Sequence, residues 1–157
     1  MSKIRFTEPN REILARRDSI INDLTRLVDP AGLITSTDEC RAYETDALTA
    51  YRKMPLAVVL PKTTEEVSAV LKYCHDTGVK VVPRGAGTSL AGGAIPSEDA
   101  VVLGLSKMNR VLAVNYDDRF IRVEAGVTNL SVTAVVAENG FFYAPDPSSQ
   151  LACTIGG

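Results

Sequence analysis

Residues 79–93 read VKVVPRGAGTSLAGG, a short apolar run followed by a loop that holds four glycines. The apolar run predicts a buried strand. Glycines let successive backbone N–H groups turn the same way and come close to a ligand, which makes a concave anion site. Arg84 is the only charged residue between Val81 and Ile95. The loop therefore predicts a phosphate or diphosphate site built from main-chain donors, hydroxyls and one guanidinium.

The glycine loop matches neither of the common nucleotide-binding motifs. Leu90 stands where a dinucleotide fingerprint requires its third glycine, and the Gly-Lys-Ser/Thr of a P-loop is absent. Short glycine patterns also arise by chance, so the loop alone leaves a flexible surface turn as the alternative.

The composition is typical of a globular chain of one domain or two small subdomains, with 157 residues, 45% hydrophobic and 23% charged. A net charge of −2 without a basic stripe argues against nucleic acid as a partner. The N-terminus has no apolar signal-peptide core, and no apolar run approaches the roughly 18 residues of a membrane span. Three cysteines match no zinc or disulfide spacing, which indicates a reducing setting. The single histidine, His75, excludes a multi-histidine site, and no metal is predicted.

The first half of the chain predicts one long helix and a βαβ unit. Apolar residues recur at helical spacing over residues 8–28, so a single amphipathic helix is expected within an N-terminal lead-in, residues 1–50. Residues 56–60 predict a strand, residues 63–66 form a capping box, and the helix that follows should end at Gly78. The two strands should be parallel, with the glycine loop at the carboxyl end of the second, where open α/β sheets bind ligands.

The second half predicts an antiparallel subdomain. Strand-like runs begin near Ala100, Val111 and Phe120, and their short connections imply antiparallel neighbours. Asn129 should cap the next helix, and residues 141–143 should form a short strand. The predicted class is therefore α+β: a small parallel sheet with helices, followed by an antiparallel α+β subdomain.

The domain organisation follows from these elements. Residues 51–157 should form one ligand-binding domain, with a first subdomain at 53–98 and an incomplete second subdomain at 99–157. Because the chain stops inside a second glycine turn, we expect a piece of a longer protein. Its last strands should leave an open sheet edge that favours self-association.

Several ordered segments together resemble one family of flavoenzymes, the vanillyl-alcohol-oxidase or p-cresol-methylhydroxylase type. Within it they are most similar to the FAD-linked subunits of bacterial glycolate oxidases. An ordered set of segments is far more specific than one glycine loop, so it favours a flavin site over a surface turn. The segments are DALTAYR (46–52), VVLP (58–61), PRGAGTSLAGG (83–93), EAGVTNL (124–130), APDPSSQ (144–150) and CTIGG (153–157).

The resemblance implies two subdomains with FAD in the cleft between them. The glycine loop would wrap the diphosphate, the turn after Ala144 would lie near the flavin end, and the last segment would line the same cleft. Some relatives bind flavin covalently through a histidine in the loop; Thr88 stands there, so noncovalent FAD is expected. The implied cofactor-binding residues are Pro83, Arg84, Gly85, Ala86, Gly87, Thr88, Ser89, Pro145, Asp146, Ser148, Thr154, Gly156 and Gly157.

The same resemblance implies a function. The protein would be the FAD-binding part of an oxidoreductase that takes a hydride from C2 of a 2-hydroxy acid such as glycolate or D-lactate. No catalytic residue is predicted, because Asp146 is better explained as a turn residue, and the chain alone is expected to be inactive. Implied partners are the small substrate, a second flavin subunit and an iron–sulfur subunit. The expected location is the cytoplasm, or a peripheral position at the inner membrane.

Two other interpretations remain open. One is a truncated, non-catalytic module that serves only for FAD binding or interaction. The other is a different oxidase of the same flavin superfamily, such as an alditol or lactone oxidase. The PDPSSQ run at residues 145–150 favours the glycolate and D-lactate branch, by resemblance.

Overall fold

The computed structural model describes residues 7–156. Its main sheet contains four strands, in the spatial order β1-β2-β4-β3. Strand β4 pairs in parallel with both β2 and β3, whereas β1 runs antiparallel to β2. The strands are β1 Leu33–Ile34, β2 Ala57–Val59, β3 Lys80–Arg84 and β4 Ala100–Gly104.

Helices cover both faces of this sheet, which explains why β2 and β4 are continuous apolar runs. Ile20, Leu24 and Val70 are fully buried on one face, in a cluster with Val59 and Val101. Because side chains alternate along a strand, Val58 and Val102 lie on the other face, with Cys40. The helices are α1 Arg11–Ala15, α2 Arg17–Leu24, α3 Thr37–Cys40 and α4 Thr64–Thr77, with 3-10 turns at Pro30–Gly32 and Arg41–Tyr43.

A smaller antiparallel unit follows. Strands β5 Val111–Asn115 and β6 Phe120–Val123 form a two-stranded sheet, and helix α5 Asn129–Val136 follows them, with a 3-10 turn at Ala137–Asn139. The rings of Tyr116 and Phe141 lie 5.4 Å apart, which packs the hairpin end against the segment after α5.

The last residues return to the start of α5. The Ile155 amide donates to the Val127 carbonyl at 2.9 Å, and the Gly156 amide donates to the Ala125 carbonyl at 2.8 Å. The Asn129 amide donates to the Cys153 carbonyl at 2.9 Å, so the first N–H group of α5 is already hydrogen-bonded within the chain. Within residues 7–156 no helix has the length and apolar character needed to cross a bilayer.

The α+β class and the predicted start and end of α4 are confirmed. Thr63 Oγ1 accepts from the Glu66 amide at 3.2 Å, as a capping box requires, and Gly78 ends α4 with a φ of 73°. The second hydrogen bond of the capping box has a different donor from the one expected, because the Glu66 carboxylate accepts from the Lys62 amide at 2.6 Å. Strands β2 and β3 run in the same direction, as predicted, although β4 lies between them.

The prediction that the strand at Ala100 begins an antiparallel subdomain is wrong. Strand β4 is the centre of the parallel part of the main sheet, and all its residues are buried. Its apolar run reflects burial on both faces. The short connection after Gly104 leads out of this sheet instead of turning back along it.

The predicted single helix over residues 8–28 is also wrong. The chain breaks at Arg16, whose φ of −95° and ψ of 7° are not helical, and α2 ends at Leu24. The amide of Arg16 donates to the Ile13 carbonyl at 3.1 Å, which closes the first helix before the second begins.

Two predictions near α5 need correction. Asn129 is the first helical residue and not the cap, because the N-cap position belongs to Thr128. The Asn129 side chain instead donates to the Pro145 carbonyl at 3.1 Å. Residues 141–143 form no strand, and the Tyr143 amide donates to Thr133 Oγ1 at 3.0 Å.

Candidate cofactor site

The glycine loop leaves β3 at the carboxyl edge of the parallel strands. Gly87 and Gly92 have φ values of 73° and 76°, a left-handed conformation that glycine adopts without strain. Among residues 7–156, the N–H groups of residues 85–89 have no hydrogen-bond acceptor. Unpaired successive donors in one loop are what main-chain binding of an anion requires.

The loop shares a cavity of about 380 Å³ with the turn that follows Pro145. The contact from that turn is made by Ser149. Arg84 is the only charged residue of the lining, so no carboxylate of the lining repels an anion. The cavity is lined by Pro83, Arg84, Gly85, Gly87, Thr88, Ser89, Gly93, Ala94 and Ser149.

The guanidinium of Arg84 contacts residues that precede β2. Its Nη1 donates to the Thr45 carbonyl at 2.6 Å, and its Cζ lies 5.5 Å from the centre of the Tyr43 ring. Burial lowers the pKa of Arg84, and electrostatic interactions with Tyr43 and Asp46 oppose that shift. Burial raises the pKa of the Tyr43 phenol, which the Arg84 charge opposes.

Residues 43–48, here called the support segment, lie against the glycine loop. The Ala47 amide donates to the Gly87 carbonyl at 3.0 Å. Asp46 is only 4% exposed, and its Oδ1 accepts from the Leu48 amide at 2.9 Å. Within the described part of the chain, Asp46 Oδ2 is buried and has no hydrogen-bond partner.

The remaining predicted site residues do not line this cavity. Ala86 lies in the loop but is exposed to solvent. Pro145 contacts α5 through its carbonyl, which accepts from Asn129, and Asp146 and Ser148 are exposed. Whether these residues contact a cofactor stays a prediction.

The last predicted segment lies beside the start of α5. Thr154 pairs with Thr128 in an antiparallel bridge, and a Cβ on Gly156 would lie 2.5 Å from Ala125 Cβ. Gly157 falls outside the described residues. The cofactor role of these positions is likewise still a prediction.

Sequence reasoning missed two parts of the site. Ser149 was not predicted, although its neighbour Ser148 was, because the side of a turn that a residue faces cannot be read from composition. The support segment lay inside the DALTAYR resemblance, yet nothing in the sequence indicated its hydrogen bond to the glycine loop.

The described residues offer no catalytic cluster beside the cavity. His75 is exposed in the last turn of α4. Within residues 7–156, no group of three or more His, Cys, Asp or Glu side chains is placed to hold a metal ion.

A family model for the FAD binding domain matches residues 55–157, which is more than half of the chain. The chain belongs to this family of FAD-binding domains, and FAD is its cofactor. The unpaired N–H groups of residues 85–89, beside a cavity without carboxylates, fit the diphosphate of FAD.

The resemblance seen in the sequence is confirmed by two curated relatives. The chain is 46% identical over 141 residues to the glycolate oxidase subunit GlcD of Escherichia coli strain K12, covering 90% of this chain and 28% of that protein. It is 36% identical over 140 residues to a D-lactate dehydrogenase of Archaeoglobus fulgidus, covering 88% of this chain and 30% of that protein. The chain thus spans less than a third of these relatives.

Solved structures confirm the fold. An alkyldihydroxyacetonephosphate synthase superimposes with a TM-score of 0.78 at 19% identity, over 98% of this chain and 30% of that chain. A p-cresol methylhydroxylase with bound substrate gives a TM-score of 0.71 at 21% identity, over 84% of this chain and 26% of that chain. At these identities the likeness concerns the architecture alone.

Proposed function

We propose that this chain is the FAD-binding part of a flavin-dependent oxidoreductase that converts a 2-hydroxy acid, glycolate or D-lactate, to the 2-oxo acid. The names of the two curated relatives support that substrate class. One structural observation carries the proposal: unpaired main-chain donors at residues 85–89 border a cavity that also contains Ser149.

We assign the diphosphate of FAD to the N–H groups of residues 85–89 and to the Thr88 hydroxyl. The turn around Asp146 and Ser148, and the segment from Thr154 to Gly157, would extend the site toward the flavin ring. The domain would span residues 51–157, with the boundary between its subdomains placed after β4 and not at residue 98. Pairing of β4 with β2 and β3 supports that change.

The residues of this chain bind and orient the cofactor. When bound, FAD supplies the acceptor for a hydride. Arg84 is the only ionisable side chain that lines the cavity, and an arginine is a poor general base because its pKa lies far above neutral. We therefore propose that a base outside these residues takes the hydroxyl proton, and that the chain alone does not oxidise 2-hydroxy acids.

An assay with a dye acceptor tests this division of labour. The chain, loaded with FAD, should not reduce the dye when glycolate or D-lactate is added. The free-FAD solution is the control. Turnover above that control would show that a base is present in these residues, and would refute the proposal that the chain alone is inactive.

We propose that FAD is bound noncovalently, because Thr88 replaces a residue type that can attach the flavin. Precipitation of the holoprotein with acid should leave all flavin absorbance in the supernatant. Flavin retained in the washed pellet would contradict the proposal.

The protein would act in the cytoplasm as one subunit of a larger oxidoreductase, either free or peripheral at the inner membrane. The Escherichia coli relative is a subunit of glycolate oxidase, which supports assembly with other chains. Three free cysteines, Cys40, Cys74 and Cys153, fit a reducing location.

A pair of matched variants tests the diphosphate site. Thr88→Asp puts a negative charge beside the proposed diphosphate, whereas Ala91→Asp puts the same charge at an exposed position of the same loop that does not line the cavity. We expect FAD affinity to fall roughly 10- to 100-fold in the first variant and to change little in the second. Equal FAD affinity in both variants would contradict the assignment, and so would a wild-type chain that binds no FAD.

A further inference from the structure

The guanidinium of Arg84 already contacts other residues of the chain. One guanidinium nitrogen donates to the Thr45 carbonyl at 2.6 Å, and Cζ lies over the Tyr43 ring, 5.5 Å from the ring centre. These contacts use a donor and a face of the group that would otherwise serve an anion. A charge-assisted hydrogen bond of this length is among the stronger contacts that a carbonyl can accept.

The same guanidinium lies directly against Gly87. A Cβ added to Gly87 would come within 2.5 Å of Arg84 Cζ, so the absence of a side chain there makes room for the guanidinium. The backbone carbonyl of Gly87 accepts a hydrogen bond from the Ala47 amide at 3.0 Å. Gly87 is the centre of the run of unpaired donors, and both contacts come from the support segment or from the arginine that the segment holds.

Asp46 adds a second charge to this arrangement. Its side chain is almost fully buried and one of its oxygens has no hydrogen-bond partner among the described residues. A buried carboxylate is costly unless a nearby cation compensates it. Asp46 and Arg84 interact electrostatically, so the guanidinium partly compensates the buried carboxylate.

We propose that Arg84 is a positioning residue and not a phosphate ligand. With Tyr43, Asp46 and the Thr45 carbonyl it clamps the support segment beneath Gly87, which keeps the N–H groups of residues 85–89 turned toward the cavity. Because it rests on the proposed FAD site, this role deepens that function: the diphosphate is recognised by neutral main-chain donors.

The variant Arg84→Lys distinguishes a phosphate ligand from a positioning residue. A phosphate ligand tolerates Arg84→Lys, because an ammonium still offers a point charge to the diphosphate. A clamp does not, because only the planar guanidinium can bond the Thr45 carbonyl while it lies on the Tyr43 ring. Arg26→Lys, at an exposed position of the chain after α2, is the matched control.

Titration with FAD at several salt concentrations is the first measurement. We expect Arg84→Lys to weaken FAD binding roughly 10- to 100-fold, the loss of one charge-assisted hydrogen bond, while Arg26→Lys binds as the wild type does. The dependence of affinity on salt should stay the same in all three proteins, because the charge is kept. Wild-type affinity in Arg84→Lys would overturn the positioning role.

Hydrogen exchange of the protein without FAD is the second measurement, and it does not depend on binding. The Ala47 amide, which donates to the Gly87 carbonyl, should exchange faster in Arg84→Lys and in Tyr43→Leu than in the wild type, and Tyr43→Phe should preserve the wild-type rate. Unchanged exchange at Ala47, or faster exchange that extends equally to β4, would overturn a local clamp. Failure of the wild type to bind FAD would instead refute the proposed function.

Discussion

The backbone amide of Asn10 donates to Asp99 Oδ2 at 2.9 Å, across 89 positions of the sequence. Asp99 is 1% exposed and immediately precedes β4. Its carboxylate also accepts from Ser97 Oγ at 2.6 Å and pairs with Lys80 Nζ at 2.8 Å. One carboxylate therefore joins the start of α1, the edge strand β3 and the central strand β4.

Substitution of Asp99 should destabilise the whole fold. In Asp99→Asn the charge that holds Lys80 is lost and the buried amide cannot satisfy all the donors around it. We expect the free energy of unfolding to fall by about 2 kcal/mol, measured by urea denaturation. Asp76→Asn removes an exposed partner of Lys72 and should leave the midpoint nearly unchanged. A similar small effect at both positions would show that Asp99 is not a structural anchor.

The same carboxylate should make stability depend on acid pH. Burial raises the pKa of Asp99, but hydrogen bonds from Lys80, Ser97 and Asn10 outweigh it and lower the pKa from 3.8 to about 2. The unfolded chain therefore binds a proton at higher pH than the folded chain, so this stabilisation is complete above about pH 4 and is lost as pH falls through 2.

Denaturant unfolding of the wild type and Asp99→Asn across this range measures the effect. The difference in unfolding free energy should be constant near neutral pH and should shrink between pH 4 and 2, because Asn cannot ionise. A difference that stays constant down to pH 2 would contradict a lowered pKa at this position.

Gly87 offers a test of the loop conformation. In Gly87→Ala the alanine backbone must adopt a φ of 73°, and the new Cβ meets the Arg84 guanidinium. We expect a loss of about 1–2 kcal/mol in unfolding free energy, and weaker FAD binding because the donors around Gly87 shift. Gly93→Ala is the control for the unfolding free energy, since no atom lies within 4 Å of its added Cβ. Equal unfolding free energies of the two alanine variants would show that the loop tolerates distortion at Gly87.

Local signals allowed a good part of this fold to be predicted. The capping box at Thr63 and the left-handed Gly78 depend on residues within one helical turn, so the sequence alone locates α4. The glycine loop was recognised as an anion site because its composition excludes carboxylates. The order of segments then indicated FAD, a conclusion that spacing and periodicity could not reach.

Contacts between distant segments could not be predicted from the sequence. Whether the strand at Ala100 joins the first sheet or the second depends on which faces become buried, and a continuous apolar run is compatible with both. Asn129 is a residue type that often caps helices, but its side chain donates to the Pro145 carbonyl, 16 residues away. The bond from Ala47 to Gly87 joins two loops, and loops carry no periodicity that would register one against the other.

Open strand edges in the small unit lead to a last prediction, self-association. Strands β5 and β6 pair only with each other in the described part of the chain, and Leu112 and Phe120 are 52% and 47% exposed. Strand β5 carries no charged residue, whereas β6 contains Arg122, and an uncharged apolar edge strand pairs readily with other chains. We therefore expect light scattering to show a mass that rises with concentration.

Charge on the edge should suppress this association. Leu112→Lys places a cation on β5, the strand without a charged residue, where it opposes edge-to-edge pairing. Leu71→Lys removes a comparably exposed apolar side chain, 44% exposed, from helix α4, which has no strand edge. If edges drive association, the first variant becomes monomeric while the second still associates. Loss of association in both would instead point to general surface hydrophobicity, and a wild type that stays monomeric at high concentration would refute the prediction outright.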